Sequence, residues 1–171
     1  IMKLARLPMP VVAAVNGPAA GIGCSLALAA DFVVAGASGY FLQAFVNIGL
    51  VPDGGASWML PRLVGKARAT EMMMLGEKIG AALAAEWGLI HKAVPDEALM
   101  DEARALAARL AGGPTVALAT MKANLAGALD GDLAGTLVAE AEGQRRAGST
   151  ADAMEGAMAF LAKRKPEFTG Q

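Results

Sequence analysis

Two short stretches hold the residues whose types and spacing are suited to chemistry. In Val15-Asn16-Gly17-Pro18-Ala19-Ala20-Gly21-Ile22-Gly23-Cys24-Ser25, glycines separate an apolar run from the start of an apolar helix. Glycine there permits positive φ and lets a ligand approach the backbone closely. The first N–H groups of the following helix have no internal partner, and the helix dipole is positive at that end. Such an array suits a phosphate or an enolate oxygen. A P-loop is excluded, because no Gly-Lys-Ser/Thr ending follows. The same glycines also fit a plain turn that packs a helix close to a strand.

The second stretch is Ile48-Gly49-Leu50-Val51-Pro52-Asp53-Gly54-Gly55, with one carboxylate at the mouth of a predicted helix. Asp53 suits a helix N-cap, a role in which Asp contributes about 1 kcal/mol. It equally suits a general base in an apolar cleft lined by Phe45, Ile48, Leu50, Val51 and Trp58. Burial in such a cleft would raise its pKa from the reference of about 3.9 toward a useful range.

These residues must be positioned by the elements around them. Val11–Val15 reads as a buried strand between Pro10 and Asn16-Gly17-Pro18, and the residues from Ile22 to Ala30 read as a buried helix. Asp31–Ala35 and Tyr40–Leu42 read as strands, and helices are predicted over Gly55–Val64, Ala67–Leu75 and Ala81–Trp87. Ile90–Val94 reads as a further strand. After Pro95 only helical spacing remains, over Asp96–Leu110, Thr115–Ala128, Leu133–Ala147 and Ala151–Lys165. Gly112-Gly113-Pro114, Asp130-Gly131 and Gly148-Ser149-Thr150 punctuate these helices. The expected organisation is an α/β region over 1–95 and a helical region over 96–171. The Ala-, Leu- and Met-rich tail points to packing against more than its own chain.

Composition narrows the function classes. The 171 residues are 55% hydrophobic and 18% charged, which describes a folding chain. A net charge of −1 argues against nucleic acid as a partner. Cys24 is the single cysteine and His91 the single histidine, so neither a disulfide framework nor a multi-His metal site is available. No uninterrupted apolar stretch approaches the roughly 18 residues of a membrane span. The start, Ile1-Met2-Lys3-Leu4-Ala5-Arg6-Leu7-Pro8, reads as the last turns of a helix stopped by proline, and so as part of a longer chain. His91, beside Lys92 at a strand start, reads as a surface residue. Cys24 reads as a small packed side chain, and Ser25 as a serine bonded to its own helix. Met72–Met74 and Trp58 read as lining either the core or a pocket.

Taken in their flanking context, both motifs resemble the crotonase (enoyl-CoA hydratase/isomerase) family. The matching residues are Pro10-Val11-Val12-Ala13-Ala14-Val15-Asn16-Gly17, Gly21-Ile22-Gly23-Cys24, Asp31 and Gly49-Leu50-Val51-Pro52-Asp53-Gly54-Gly55. Leu60-Pro61-Arg62-Leu63-Val64-Gly65, Glu86-Trp87-Gly88-Leu89-Ile90 and Phe160-Leu161-Ala162-Lys163-Arg164-Lys165-Pro166-Glu167-Phe168 continue the match along the chain. The resemblance implies a ββα spiral core, here its C-terminal part, followed by an α-helical trimerisation region. It implies a homo-oligomer, a trimer or a dimer of trimers, and an acyl-CoA substrate. No cofactor is implied beyond the coenzyme A of that substrate, and no metal, nucleic acid or membrane; a cytoplasmic location is expected.

The resemblance also carries residue roles. The Ile22 N–H falls on one oxyanion donor, while the family's other donor lies in a loop upstream of this chain. Gly21, Gly23, Ser25, Phe45 and Trp58 fall around the substrate, and Lys163 and Arg164 fall where family members contact coenzyme A phosphates. Hydratases of the family carry two glutamates at positions that here are Ser25 and Phe45. Asp53 instead resembles the single catalytic aspartate of the isomerase branch, which includes ring-epoxide isomerases of phenylacetate degradation. The implied activity is 3-enoyl to 2-enoyl isomerisation with Asp53 as acid and base. Hydration, other crotonase chemistry on acyl-CoA, and a catalytically silent oligomeric scaffold are the alternatives.

Overall fold

The computed structural model describes residues 1–171. The chain forms two compact units: residues 1–7 with 11–106, and residues 8–10 with 107–171.

In the first unit, a short helix α1 (Met2–Ala5) precedes β1 (Val12–Val15), β2 (Pro18–Ala20) and α2 (Ile22–Leu28). β3 (Phe32–Gly36) and β4 (Tyr40–Leu42) come next, then a 3-10 turn over Ala44–Ile48 and α3 (Ala56–Leu75). β5 (Ile79–Gly80), α4 (Ala81–Glu86) and β6 (Lys92–Val94) complete the strand-bearing part. Consecutive strands do not pair. β1, β3 and β6 form one parallel sheet in that order, with Val12 opposite Phe32 and Ala35 opposite Ala93. β2, β4 and β5 form a second sheet, with Ala19 opposite Phe41 in parallel and Phe41 opposite Ile79 antiparallel. The first two passes, β1-β2-α2 and β3-β4-α3, each add one strand to each sheet before a helix closes the turn, as expected of a ββα spiral; in the third, α4 separates β5 from β6.

The central strand β3 shows why. Phe32-Val33-Val34-Ala35-Gly36 has no polar side chain, as suits a parallel strand covered on both faces, and its last four residues are buried. The core continues through Cys24, Leu28, Phe41, Leu60, Met72 and Ala84. Phe41 and Leu60 are fully buried, and each such side chain stabilises the fold by about 1.5–3 kcal/mol. α2 is buried on one side only: Cys24, Ser25, Ala27 and Leu28 face the core, whereas Ile22 and Leu26 are each 46% exposed.

Three elements escaped the sequence pattern. β2 and β5 are two or three residues long and contain Pro, Ala and Gly, so pairing with β4 rather than propensity makes them strands. The 3-10 turn Ala44–Ile48 carries no periodic signal at all. The two helices predicted over residues 55–75 are the two halves of α3, which breaks at Gly65 (φ 75°, ψ 164°).

The second unit begins within α5 (Leu99–Ala111) and contains α6 (Thr115–Ala128), α7 (Leu133–Gly148) and α8 (Ala151–Leu161). A 3-10 turn, Asp96–Ala98, precedes α5, so that helix starts three residues later than its spacing predicts. The starts of α7 and α8 are capped by side chains, whereas α6 follows Pro114 without one. The Asp132 carboxylate accepts from Gly135 N–H at 2.7 Å, and Thr150 Oγ1 accepts from Ala153 N–H at 3.2 Å. α8 ends at Leu161 rather than at Lys165. The chain then runs back along α8, where Thr169 and Gly170 N–H donate to the buried Asp152 carboxylate at 2.7 and 3.0 Å. That tertiary anchor outweighs the helical propensity of the Lys-rich tail.

Candidate active site

The N-terminus of α2 is held from behind. Gly21 is its N-cap at φ 55°, and Gly21 N–H donates to Leu42 O at 2.8 Å, tying the turn to the end of β4. The first return bonds of the helix come from Cys24 and Ser25 N–H to Gly21 O, at 3.0 and 3.3 Å. The N–H groups of Ile22 and Gly23 precede those bonds and have no intrahelical acceptor. The Phe45 ring lies beside Gly21, 3.6 Å from where a Cβ would stand.

The Pro52-Asp53-Gly54 loop is brought to this turn by two contacts. Ser25 Oγ, fully buried, donates to Asp53 O at 2.9 Å. Gly54, at φ 62°, sits so close to α2 that a Cβ would come within 2.5 Å of Ile22 Cδ1 and 2.7 Å of Ser25 Cβ. Only glycine meets both demands, a left-handed backbone and no side chain. Ser25 therefore bonds across 28 residues to the loop, and not to its own helix as the sequence predicts.

Asp53 O also accepts Ala56 N–H at 3.2 Å, so the backbone of this residue is fixed from two sides. Its carboxylate does no structural work on α3. Gly55 is the N-cap, in a left-handed conformation, and no side chain caps that helix. The capping role open at the sequence level is thus not the one observed. Nor is the predicted apolar burial: Asp53 is exposed, as are Ile48, Leu50, Val51 and Trp58 around it in sequence, and only Phe45 is half-buried. These apolar side chains sit in connecting segments and at a helix start, where no element of this unit covers them.

Trp58 carries the Arg62 guanidinium 4.2 Å above its ring, and Arg62 Nη1 donates to Trp58 O at 3.1 Å. Among the methionines, Met72 is core, Met73 half-buried and Met74 exposed. Cys24 is fully enclosed, and burial pushes its thiol up to about 11. Gln43 went unremarked in the sequence. It directly follows β4, fully buried, with neither side-chain polar atom hydrogen-bonded. Its neighbours Leu42 and Ala44 carry no signal that would have singled it out. His91 is exposed, with its ring edge-on to Phe32 at 5.3 Å. A cavity of about 240 Å³ lies beside it, lined by Leu28, Asp31, Phe32, Leu63 and His91 among others, and it includes none of the residues around Asp53. No three His, Cys, Asp or Glu side chains come together as a metal-binding group, and no helix is long and apolar enough to cross a membrane.

In the second unit, the basic cluster lies beyond α8 and not on it. The Arg164 guanidinium forks onto Glu155, Nη1 to Oε1 at 2.6 Å and Nη2 to Oε2 at 2.8 Å. Glu167 N–H adds a third bond to Glu155 Oε1 at 2.9 Å. The Arg164 hydrogen bonds, then the Glu167 N–H, hold the Glu155 carboxyl down at about 2. Arg164 is thus committed to an intramolecular partner, whereas Lys163 is exposed.

The family model for enoyl-CoA hydratase/isomerase matches residues 1–171, the whole chain. A 1,2-epoxyphenylacetyl-CoA isomerase of Escherichia coli is 47% identical over 171 residues, covering 100% of this chain and 65% of that protein. A protein of Rhodobacter capsulatus named as a probable enoyl-CoA hydratase is 52% identical over 164 residues, covering 96% of this chain and 64% of its own length. The crystal structure of an enoyl-CoA hydratase/isomerase from Cupriavidus metallidurans superposes with a TM-score of 0.94 at 40% identity, over 99% of this chain and 64% of that one. This chain thus spans just under two thirds of the length of these relatives. Matched from its first residue to its last in sequence, and in fold by the solved structure, the chain belongs to the enoyl-CoA hydratase/isomerase family.

Proposed function

We propose that the protein isomerises an enoyl-CoA thioester, moving a double bond from position 3 to position 2, with Asp53 as the shuttling base. The observation that carries this reading is the Ser25 Oγ–Asp53 O bond, with Gly54 packed on Ile22. These contacts draw the loop that carries the exposed Asp53 against the first turn of α2, which supports that reading. The Asp53 carboxylate removes a proton from the carbon α to the thioester carbonyl. The electron pair becomes an enolate whose oxygen rests on the Ile22 N–H. Protonated Asp53 then returns the proton at the γ carbon, the double bond settles between α and β, and no atom is gained or lost. One such oxyanion donor typically contributes roughly 3–4 kcal/mol to the transition state.

A carboxylate that neither caps its helix nor sits in an ion pair keeps its lone pairs for a substrate proton, as this role needs. Gly21, Gly23, Phe45 and Trp58 surround the acyl group, Ser25 is fully buried and acts only by holding the Asp53 loop, and Lys163 offers an ammonium to coenzyme A. Residues on α6 to α8 such as Leu125, Leu133, Val138 and Phe160 are more than two-thirds exposed, which supports a trimer or a dimer of trimers. A single buried thiol suits a reducing, cytoplasmic setting. The relative of E. coli named as an epoxyphenylacetyl-CoA isomerase favours a ring-derived acyl group.

Hydration is the second reading, favoured by the 52% identity to the R. capsulatus protein. Against it stand Ser25, whose hydroxyl is already donated to Asp53 O, and Phe45, neither of which can activate water as a base. The test is incubation with a 3-enoyl-CoA followed by mass spectrometry and conjugated-thioester absorbance. A 2-enoyl product of unchanged mass supports isomerisation. A product heavier by one water overturns it, and no turnover favours the silent scaffold.

A further inference from the structure

Residues 46–51 join the turn that carries Phe45 to the loop that carries Asp53, and every one of them is exposed. Apolar packing within this unit therefore does not fix their path; hydrogen bonds do. Gly49 N–H donates to Val46 O at 3.1 Å and Leu50 N–H to Phe45 O at 2.9 Å, which closes the turn on itself. A side chain then ties the turn to the rest of the unit: Asn47 Nδ2 donates to Gly76 O at 3.0 Å. Gly76 ends α3 in a left-handed conformation, φ 61°. A Cβ on it would stand 2.5 Å from Asn47 Oδ1 and 2.6 Å from Val46 Cγ1, so the two segments interlock where only glycine fits. The sheet register brings them together. β4 and β5 are antiparallel, with Phe41 opposite Ile79, so the chain leaving β4 runs beside the chain entering β5. Past Leu42 the backbone coils into the 3-10 turn over Ala44–Ile48 and no longer pairs as a strand. The Asn47 amide continues the connection there in place of the main chain.

We propose that Asn47 is a positioning residue of the site: its bond to Gly76 fixes the turn that sets the Phe45 ring against Gly21 and leads the chain into Asp53. This rests on the Asp53 reading above and goes beyond it. Ser25 and Gly54 hold the Asp53 loop from the α2 side, and Asn47 holds the approach to that loop from the end of α3. A base that serves both the α and the γ carbon needs both holds, because a displacement of about 1 Å can cost on the order of 10²-fold in rate. The residue type follows from the partner. Gly76 O lies at the negative end of a helix, so the side chain that meets it must donate and cannot be an anion.

The test compares N47D and N47Q with the wild type. N47D is isosteric, deletes the donor and sets a negative charge against a carbonyl. N47Q keeps the donor, and the exposed turn has room for one more methylene. Hydrogen exchange at the Leu50 amide and the kcat and KM for a 3-enoyl-CoA are measured on the same preparations. In N47D the Leu50 amide exchanges about tenfold faster, kcat falls about tenfold, and KM stays within about twofold. N47Q stays close to the wild type in all three. An unchanged Leu50 exchange rate in N47D overturns the tie. Faster exchange with kcat unaltered overturns the positioning role and leaves the Asp53 reading standing. A loss in N47Q equal to that in N47D overturns the role of the amide donor. A wild-type protein that turns over no 3-enoyl-CoA overturns the Asp53 reading and this role within it, while the exchange comparison still decides whether Asn47 fixes the turn.

Discussion

Two carboxylates in this molecule have opposite fates. Asp53, in the first unit, has its backbone bonded from two sides while its carboxylate is left out of the packing. Glu155, in the second, has both oxygens bonded by Arg164 and one by Glu167 N–H, and its carboxyl is held at about 2. The contrast separates a carboxylate left free, as the proposed reaction needs, from one whose oxygens hold a tertiary contact. A base needs an accessible lone pair and a proton affinity close to its surroundings, so its position must be set through the main chain. A structural carboxylate is positioned through its own oxygens and is thereby removed from proton transfer.

Changes to the reacting side give the largest effects. Asp53→Asn keeps the shape of the loop and deletes the base; kcat/KM on a 3-enoyl-CoA should fall by ~10²–10⁴-fold, with the circular dichroism spectrum unchanged. Near-normal isomerisation by that variant would end the comparison, because Asp53 would then be no more reactive than Glu155. Gly54→Ala comes next. It strains a positive φ and drives a methyl into Ile22 and Ser25, for roughly 2–4 kcal/mol of lost stability in chemical denaturation. Any folded fraction should turn over slowly, since the loop can no longer reach the α2 turn. A Gly54→Ala protein of full stability and activity would show that the close approach is dispensable.

Ser25→Ala sharpens the main-chain half of the argument. It removes one neutral hydrogen bond, for about 1 kcal/mol, and leaves Asp53 O still paired with Ala56 N–H. Activity should drop further than stability does, which kinetics and denaturant melts on the same preparation can separate. The smallest effect belongs to the holding side. Because the folded pKa of Glu155 lies below its ordinary value of 4.5, its contribution is present above pH 4.5 and is lost as pH falls toward 2. In Glu155→Gln, the part of the stability change that falls in that pH window should disappear from thermal melts. A window unaltered by the substitution would mean that another acid dominates it.

Much of the first unit was legible because parallel strands buried on both faces must be apolar. Asp31–Ala35 shows this in the central strand β3, whereas Val11–Val15, expected to be buried, forms a strand that is only half-buried, with Ala14 exposed. The bends were legible for a related reason: Gly21, Gly54 and Gly65 stand where the backbone leaves ordinary φ, and glycine is the residue that tolerates it. β2 and β5 were not legible, since two or three residues of Pro, Ala, Ile and Gly have no pattern of their own until β4 supplies hydrogen bonds. The end of α8 was missed because Asp152, far behind it in the chain, captures the tail.

At the site, the residue types were readable and their relations were not. Sequence alone determined that a glycine turn opens a helix, that one aspartate stands in a Pro-Asp-Gly-Gly loop, and, through the whole-length resemblance, the family. These are local properties of composition and order, and short-range sterics enforce them. Only the tertiary structure decided that Ser25 spends its hydroxyl on Asp53 O, that the Asp53 carboxylate is exposed and not a cap, and that Arg164 belongs to Glu155 while Lys163 faces outward. Each of those outcomes is a choice among competing partners many residues apart. Such choices depend on which groups packing brings within about 3 Å of each other, a distance that no linear spacing encodes.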